Sequence, residues 1–192
     1  NAFDTAELYA VPSGPETWGK TESIIGTWFK ATGKRKDIFL ASKIVGPAAF
    51  GAHIRNGNLG FSSAQIDEAL SGSLERLQTD YLDLYQLHWP ARKVNFFGKR
   101  GVHTIQDDPW EDNILEILTK MDALIKSGVI KHWGLSNETP WGVMRVLHLA
   151  DVHGLPRPVS IQNPYSLLSR SFEVGLAEVC LRENIAGFHY SP

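Results

Sequence analysis

The sequence predicts an α/β protein with the fold of a (β/α)8 TIM barrel, and three observations lead to this prediction. Short apolar runs alternate with amphipathic stretches along the whole chain, which is the pattern of repeated βα units on a parallel sheet. No linker interrupts this alternation, so residues 1–192 are expected to form one domain. No G-x-G-x-x-G turn follows any apolar run, and this disfavours the alternative of an open doubly wound sheet.

The amino-terminal part predicts two strands and the helix between them. Phe3 and Asp4 have the composition of a strand end, and a loop rich in proline and glycine follows them. A helix is expected over 21–32 because apolar side chains recur there at helical spacing and Gly33 then stops the helix. The next strand is predicted over 38–43.

The middle of the chain continues the alternation. Ser62 and Gln65 stand at the spacing of a capping box, and leucine and isoleucine then recur on one helical face up to Leu77. A strand is expected over 82–88. The segment that follows, 89–111, shows no periodicity, and a loop of that length in a compact domain is usually functional.

Three further strands are predicted in the carboxyl-terminal half. An apolar helical stripe ends at Gly128, and Thr139-Pro140 has the form of an N-cap with proline at the first helical position. The predicted elements here are strand 130–136, a helix from 140 to about 153, strand 159–162, helix 171–183 and strand 185–190.

The predicted strands number six, whereas an ordinary barrel of this type has eight in about 250 residues. The chain begins at what resembles the end of a buried strand and stops just after another strand. We therefore expect a fragment that lacks the first and last strands of the barrel.

Composition and charge exclude several classes of partner. The chain is 43% hydrophobic and 21% charged, as expected of a globular domain. Its 19 basic and 21 acidic side chains form no long runs, which disfavours binding to nucleic acid or to an anionic membrane. No apolar stretch approaches the roughly 20 residues of a membrane-spanning helix. The single cysteine, Cys180, excludes an intrachain disulfide and favours a reducing, cytoplasmic location, and the oligomeric state stays open.

Active sites of such barrels lie at the carboxyl ends of the strands, so polar side chains there are the first candidates. They are Asp4, Tyr9, Lys43, His88, Ser136, Asn137, Gln162 and Tyr190. A carboxylate, a phenol, an ammonium and an imidazole in one cleft suit proton transfer to a carbonyl oxygen as hydride reaches its carbon. In that arrangement Lys43 favours the phenolate form of the tyrosine, and Asp4 keeps the lysine charged. Taken singly, Lys43 is equally an ordinary charge at a strand end, and His88 equally a hydrogen-bonded histidine under a loop.

Two other kinds of barrel chemistry were weighed. Histidines at strand ends are typical of metal-dependent hydrolases, but neither a His-x-His nor a His-Glu-x-x-His pair occurs, so no metal site is predicted. Barrels that bind phosphate place glycine-rich turns after their late strands, and such turns are not evident in this chain.

Several segments resemble the signatures of the aldo-keto reductase family. They are 3–9 (FDTAELY), 40–43 (LASK), 77–90 (LQTDYLDLYQLHWP), 134–138 (GLSNE), 161–167 (IQNPYSL) and 190–192 (YSP). The match covers the whole chain in family order. Within the family, 11–21 and 163–178 resemble the bacterial Tas-type branch.

The resemblance implies roles for the strand-end residues. The implied catalytic tetrad is Asp4, Tyr9, Lys43 and His88. Tyr9 is then the general acid in reduction, and His88 orients the carbonyl. The residues implied to bind the cofactor are Ser136, Asn137, Gln162 and Tyr190, the first three by hydrogen bonds to the nicotinamide carboxamide and the last by stacking on the ring. NADPH is the expected cofactor, with NADH as the alternative, and a small aldehyde or ketone is the expected substrate.

Other interpretations remain open beside this one. The aromatic residues of the long loop either line a substrate pocket or anchor the loop; they are Trp89, Phe96, Phe97 and Trp110. Some members of the superfamily serve as redox-sensing subunits bound to a membrane channel, which gives the alternative function of a cofactor-binding subunit with little turnover. A barrel that lacks two strands also exposes two unpaired edges, so inactivity of the isolated chain is a third hypothesis.

Overall fold

A computed structural model of the chain describes residues 1–97, 101 and 107–191. Within these residues, six strands form one sheet in which every neighbouring pair is parallel and sequence order is also spatial order. The strands are β1 (Ala2–Asp4), β2 (Phe39–Ile44), β3 (Leu82–Leu87), β4 (Ile130–Ser136), β5 (Ser160–Pro164) and β6 (Ala186–Tyr190). The helices between them are α1 (Lys20–Thr32), α2 (Ser63–Leu77), α3 (Ile114–Lys126), α4 (Pro140–His153) and α5 (Leu176–Glu183).

The sheet is strongly curled. The side-chain amide Nε2 of Gln162 at β5 donates to Oδ2 of Asp4 at β1 over 3.2 Å, although these strands are four positions apart in the sheet. In a flat sheet four spacings of 4.7–4.9 Å would separate them by about 19 Å. The carboxyl ends of the strands therefore face one another around a common axis, which confirms the predicted barrel class for the six strands.

Local sequence signals account for the ends of several helices. Ser62 and Gln65 form the predicted capping box of α2, since each side chain accepts from the backbone N–H of the other residue. The hydroxyl of Thr139 accepts from the N–H of Gly142 at the start of α4. Gly33 and Gly154 end α1 and α4 in the left-handed conformation.

One predicted helix is wrong in extent. Only Leu176–Glu183 of the predicted helix 171–183 is α-helical, and Ser171–Glu173 forms a separate 3-10 turn. The break has a backbone cause, because Gly175 has a φ of +103°, outside the helical region. Strands β5 and β6 begin one residue later than predicted, and β5 continues to Pro164. Parts of the predicted loop 89–111, and Pro192, lie outside the described residues.

The core has a large part and a small part. The large cluster packs the helices against the outer face of the sheet, and the small one lies under the loops at the carboxyl ends of β1, β2 and β3. The buried members of this small cluster are Ala6, Leu8, Val45, Ile54 and Trp89. These loops therefore rest on packed side chains of their own. Among the described residues, no helix is both long and apolar enough to cross a membrane.

Candidate active site

The centre of the candidate site is an ion pair between the first two strands. Lys43, in β2, is fully buried, and its Nζ donates to Asp4 Oδ2 over 2.7 Å and to the Thr5 carbonyl oxygen over 2.8 Å. The Asp4 side chain keeps 43% of its surface exposed, so one partner is dry and the other faces solvent. The buried ammonium is therefore directed towards the open end of the barrel.

Tyr9 and His88 lie beside this ion pair. The ring centroid of Tyr9 is 5.1 Å from Lys43 Nζ and 5.7 Å from the imidazole centroid of His88, with the two rings edge to face. His88 is buried and follows β3, and its Nδ1 has no hydrogen-bond partner among the described residues. The structure thus brings the four predicted tetrad residues together, although Tyr9 lies on a loop five residues beyond β1.

Burial sets the protonation states of these groups. Burial, the Asp4 carboxylate and Tyr190 raise the pKa of Tyr9 to about 12. Burial also lowers the pKa of Lys43, against the opposing effect of Asp4. Burial and the nearby Lys43 charge hold the pKa of His88 well below its usual 6.5. The sequence had suggested that the ammonium shifts Tyr9 towards phenolate; instead the phenol is held in its protonated form, because burial and then the Asp4 carboxylate raise its pKa.

The residues predicted to bind the cofactor form a hydrogen-bonded chain beside the tetrad. Asn137 Nδ2 donates to the His88 carbonyl oxygen over 2.9 Å and to Ser136 Oγ over 3.1 Å. Ser136 Oγ donates to the Gln162 carbonyl oxygen over 2.8 Å. The Tyr190 hydroxyl donates to Asn137 Oδ1. The ends of β3, β4, β5 and β6 are thereby joined through side chains.

These two groups share one cavity of about 250 Å³. It is lined by Asp4, Leu8, Tyr9, Val11, His88, Phe97, Ser136, Asn137, Gln162 and Tyr190. Seven of the eight predicted site residues are in that lining, and the eighth, Lys43, lies behind it. The arrangement offers an acid, a neutral imidazole and several amide and hydroxyl groups to one small molecule.

The aromatic residues of the long loop divide between the two roles considered for them. Phe97 lines the cavity and has a positive φ of 52°. Trp89 is fully buried in the small core cluster, and Phe96 packs against that cluster. Trp110 lies away from the cavity, 5.8 Å from the Arg92 guanidinium.

Sequence reasoning missed several residues around the site. Leu8 and Val11 provide apolar lining. Gln86 Nε2 donates to Asp4 Oδ1 over 3.3 Å, and its position in β3, two residues before His88, was the available signal. Glu7 is 1% exposed and binds Val45 and Arg55, a partnership across 48 residues that no local pattern indicates. Among the described residues, no group of three or more acidic, histidine or cysteine side chains is placed to hold a metal ion.

Comparison with known proteins agrees with this architecture. The model of the "Aldo/keto reductase family" matches residues 1–192. The chain is 50% identical over its whole length to Protein tas of Escherichia coli, covering 55% of that protein, and 38% identical over 81% of its length to an aldo-keto reductase of Babesia bovis, covering 58%. The chain thus spans little more than half the length of these curated relatives.

Solved structures give the same result. A crystal structure of an aldo-keto reductase from Klebsiella pneumoniae in complex with NADPH superimposes with a TM-score of 0.71 and 28% sequence identity, over 100% of this chain and 52% of the other. The family model covers every residue, and the high identity to Protein tas supports the predicted Tas-type branch. The chain therefore belongs to the aldo/keto reductase family, in its Tas-type branch.

Proposed function

We propose that this chain carries the catalytic centre of an NADPH-dependent oxidoreductase that reduces aldehydes or ketones to alcohols. The observation that carries the proposal is the buried Lys43–Asp4 pair beside Tyr9 and His88, at a cavity that amide and hydroxyl side chains also line. The Klebsiella pneumoniae relative binds NADPH, which supports this cofactor over NADH. The single free cysteine agrees with a reducing, cytoplasmic setting, which we also propose.

The chemistry of the cavity suits a nicotinamide. A carboxamide offers two N–H donors and one acceptor, and Ser136, Asn137 and Gln162 present complementary hydroxyl and amide groups to the cavity. Asn137 already uses its N–H groups on His88 and Ser136, so the oxygens of Asn137 and Ser136 are the atoms of these two residues that can accept from a carboxamide. Each of these oxygens already accepts one hydrogen bond, from Tyr190 and from Asn137 respectively, and can accept one more. Tyr190, which lines the same cavity, provides an aromatic face. Bound NADPH would supply the hydride.

The protein's own contribution is the proton. A phenol with a pKa of about 12 is protonated at neutral pH, so Tyr9 holds the proton that a carbonyl oxygen needs on reduction. His88 is uncharged, because its pKa lies well below 6.5, and its single N–H is available to orient the carbonyl oxygen. Lys43 does not line the cavity and acts through Tyr9, whose developing negative charge the nearby ammonium stabilises.

The direct test is NADPH oxidation with an aromatic aldehyde by the full-length protein and by Tyr9→Phe. The variant keeps the ring and its packing but loses the proton, so kcat is expected to fall by about a hundredfold or more while NADPH still binds. Turnover of the variant at the parent rate would remove Tyr9 from the mechanism. A parent that binds NADPH but reduces no carbonyl would favour a cofactor-binding subunit instead.

A further inference from the structure

Glu7 has a buried side chain at a junction where separate segments of the chain meet, and it takes no part in the proposed reaction. Its side chain is 1% exposed, and it lies between Asp4 and Tyr9 in the sequence without lining the cavity. Oε1 accepts from the backbone N–H of Val45 over 2.6 Å. The carboxylate therefore joins the loop that carries Tyr9 to the end of β2, two residues beyond Lys43.

The backbone explains why a side chain is needed there. The N–H of Thr5 donates to the Ala41 carbonyl oxygen and the N–H of Glu7 to the Lys43 carbonyl oxygen, so the loop first continues the parallel ladder beside β2. The next acceptor for Val45 in such a ladder would be the Glu7 carbonyl oxygen. That oxygen instead accepts from Gly19 over 2.9 Å, because the chain turns away. The Glu7 carboxylate therefore accepts from the Val45 N–H in place of the Glu7 carbonyl oxygen.

Arg55 completes the junction from a third segment. Its Nη2 and Nε donate to the two oxygens of Glu7 over 3.1 and 3.2 Å, and its Nη1 donates to the Asn58 carbonyl oxygen over 2.6 Å. The Arg55 side chain is only 5% exposed. Burial raises the pKa of the Glu7 carboxyl, and the Arg55 guanidinium opposes that shift. A paired carboxylate at this depth fixes three segments relative to one another.

We propose that Glu7 is a positioning residue for the reductase activity. By fixing the loop 5–9, Glu7 holds the Tyr9 phenol at the correct place beside the Lys43 ammonium. The inference rests on the proposed function, since it assigns a purpose to the geometry of Tyr9 and Lys43. It acts through the backbone, because Glu7 does not line the cavity and its carboxylate binds the backbone N–H of Val45. Displacement of a catalytic group by about 1 Å is enough to cost on the order of a hundredfold in rate.

The amino end of β2, opposite to the end that Glu7 binds, supplies a matched control. Asp83 Oδ2 accepts from the backbone N–H of Leu40 over 2.9 Å and from Arg35 Nη2 over 2.9 Å. This is the same chemistry as at Glu7, a buried carboxylate that holds a backbone N–H of the β2 segment and an arginine, but far from the cavity. Asp83 also accepts from Lys131 Nζ over 2.7 Å, so loss of this carboxylate removes at least as many interactions as loss of the Glu7 carboxylate.

The experiment compares Glu7→Ala, Glu7→Gln and Asp83→Ala with the parent in the full-length protein. For Glu7→Ala we expect kcat to fall at least about tenfold, with KM for the aldehyde and Kd for NADPH within about twofold of the parent. Glu7→Gln keeps an acceptor for Val45 and is expected to recover most of kcat. Asp83→Ala is expected to lower Tm by at least as much as Glu7→Ala and to leave kcat unchanged.

Hydrogen exchange of the backbone amides provides a readout independent of turnover. Residues 5–10 are expected to exchange faster in Glu7→Ala and at the parent rate in Asp83→Ala. Equal loss of kcat in Glu7→Ala and Asp83→Ala, or a parent kcat in Glu7→Ala, would overturn the proposal. If the parent reduces no carbonyl, the proposed function fails by itself. Hydrogen exchange of residues 5–10 then still tests whether Glu7 orders this loop. Exchange in Glu7→Ala at the parent rate would overturn the proposal.

Discussion

At the scale of single residues, the site combines a fully buried cation with a phenol that is hard to ionise. Lys43 has a lowered pKa because it is buried, whereas the pKa of Tyr9 is raised to about 12. The two groups therefore titrate in the order opposite to that in free amino acids, where the phenol loses its proton first. As the pH rises, the site loses the ammonium before it loses the acid.

This order predicts which group limits the proposed reductase activity at alkaline pH. We expect kcat for carbonyl reduction to fall with a midpoint below 10.5, the ordinary value for lysine, as Lys43 loses its charge. Tyr9 stays protonated over this range. The measurement is kcat from pH 6 to about 11, with circular dichroism at each pH to separate unfolding. A kcat that stays constant up to about pH 11 would assign the alkaline limb to Tyr9 instead, whose pKa is about 12.

How far the sequence predicts the site depends on whether a residue stands out from its neighbours. Lys43 and His88 are polar residues at the carboxyl ends of apolar strands, so the strand-end rule of parallel barrels selects them. Glu7 resembles an ordinary loop charge, and its partner Arg55 has a left-handed backbone conformation in a segment without periodicity. Only the folded chain brings these two together, because their contact spans 48 residues.

At the scale of elements, the contact between α1 and α2 is unusually close. A Cβ built on Gly26 of α1 would lie 2.2 Å from the Arg76 carbonyl oxygen and 2.7 Å from the Leu77 carbonyl carbon. Both atoms belong to the backbone of α2 and cannot rotate away. The absence of a side chain at Gly26 therefore sets the distance between the two helices.

Gly26→Ala is expected to destabilise the protein for this reason. We expect a loss of about 1–3 kcal/mol in the free energy of unfolding, since overpacking outweighs the better helix propensity of alanine. Gly72→Ala in α2 is the control, because the atoms nearest to the Cβ there belong to the guanidinium end of the Arg76 side chain, the closest at 3.0 Å, and no backbone atom is among them. This control should be neutral or stabilising by up to about 1 kcal/mol. Urea denaturation measures both, and equal effects would contradict the steric explanation.

The elements differ in how completely the sequence specifies them. The capping box at Ser62 and the N-cap at Thr139 are local signals, and the helices begin where they predict. The segment 171–183 has helical periodicity throughout, yet the chain leaves the helix at Gly175. A glycine permits that conformation without demanding it, so the pattern of apolar residues alone could not locate the break.

At the scale of the whole molecule, buried carboxylates tie β2 to its neighbours at both of its ends. Glu7 acts at the carboxyl end, and Asp83 acts at the amino end, where it also accepts from Lys131 Nζ over 2.7 Å. Asp83 thereby joins β2, β3 and β4 with the turn that contains Arg35. The curled order of the strands follows from the βα repeats, but these ties between distant segments are visible only in three dimensions.

The Asp83 junction predicts part of the acid stability of the fold. Burial alone would raise the pKa of Asp83, but hydrogen bonds from Lys131, the Leu40 N–H and Arg35 outweigh burial and lower it below 3.8. A lowered folded-state pKa stabilises the protein above the unfolded value, and this stabilisation is lost as the pH falls through the folded value. The parent should therefore lose stability below about pH 4 in part through Asp83.

Asp83→Asn separates this contribution from the rest of acid unfolding. The variant keeps an acceptor for Leu40 but lacks the charge, so we expect it to be about 1–3 kcal/mol less stable than the parent at pH 7. The difference should shrink as the pH falls below 3.8, because protonation removes the same charge from the parent. Urea denaturation between pH 7 and pH 3 measures it, with the exposed i,i+4 pair variant Asp122→Asn as the control. A difference that stays constant over this range would show that Asp83 stabilises the barrel by packing rather than by charge.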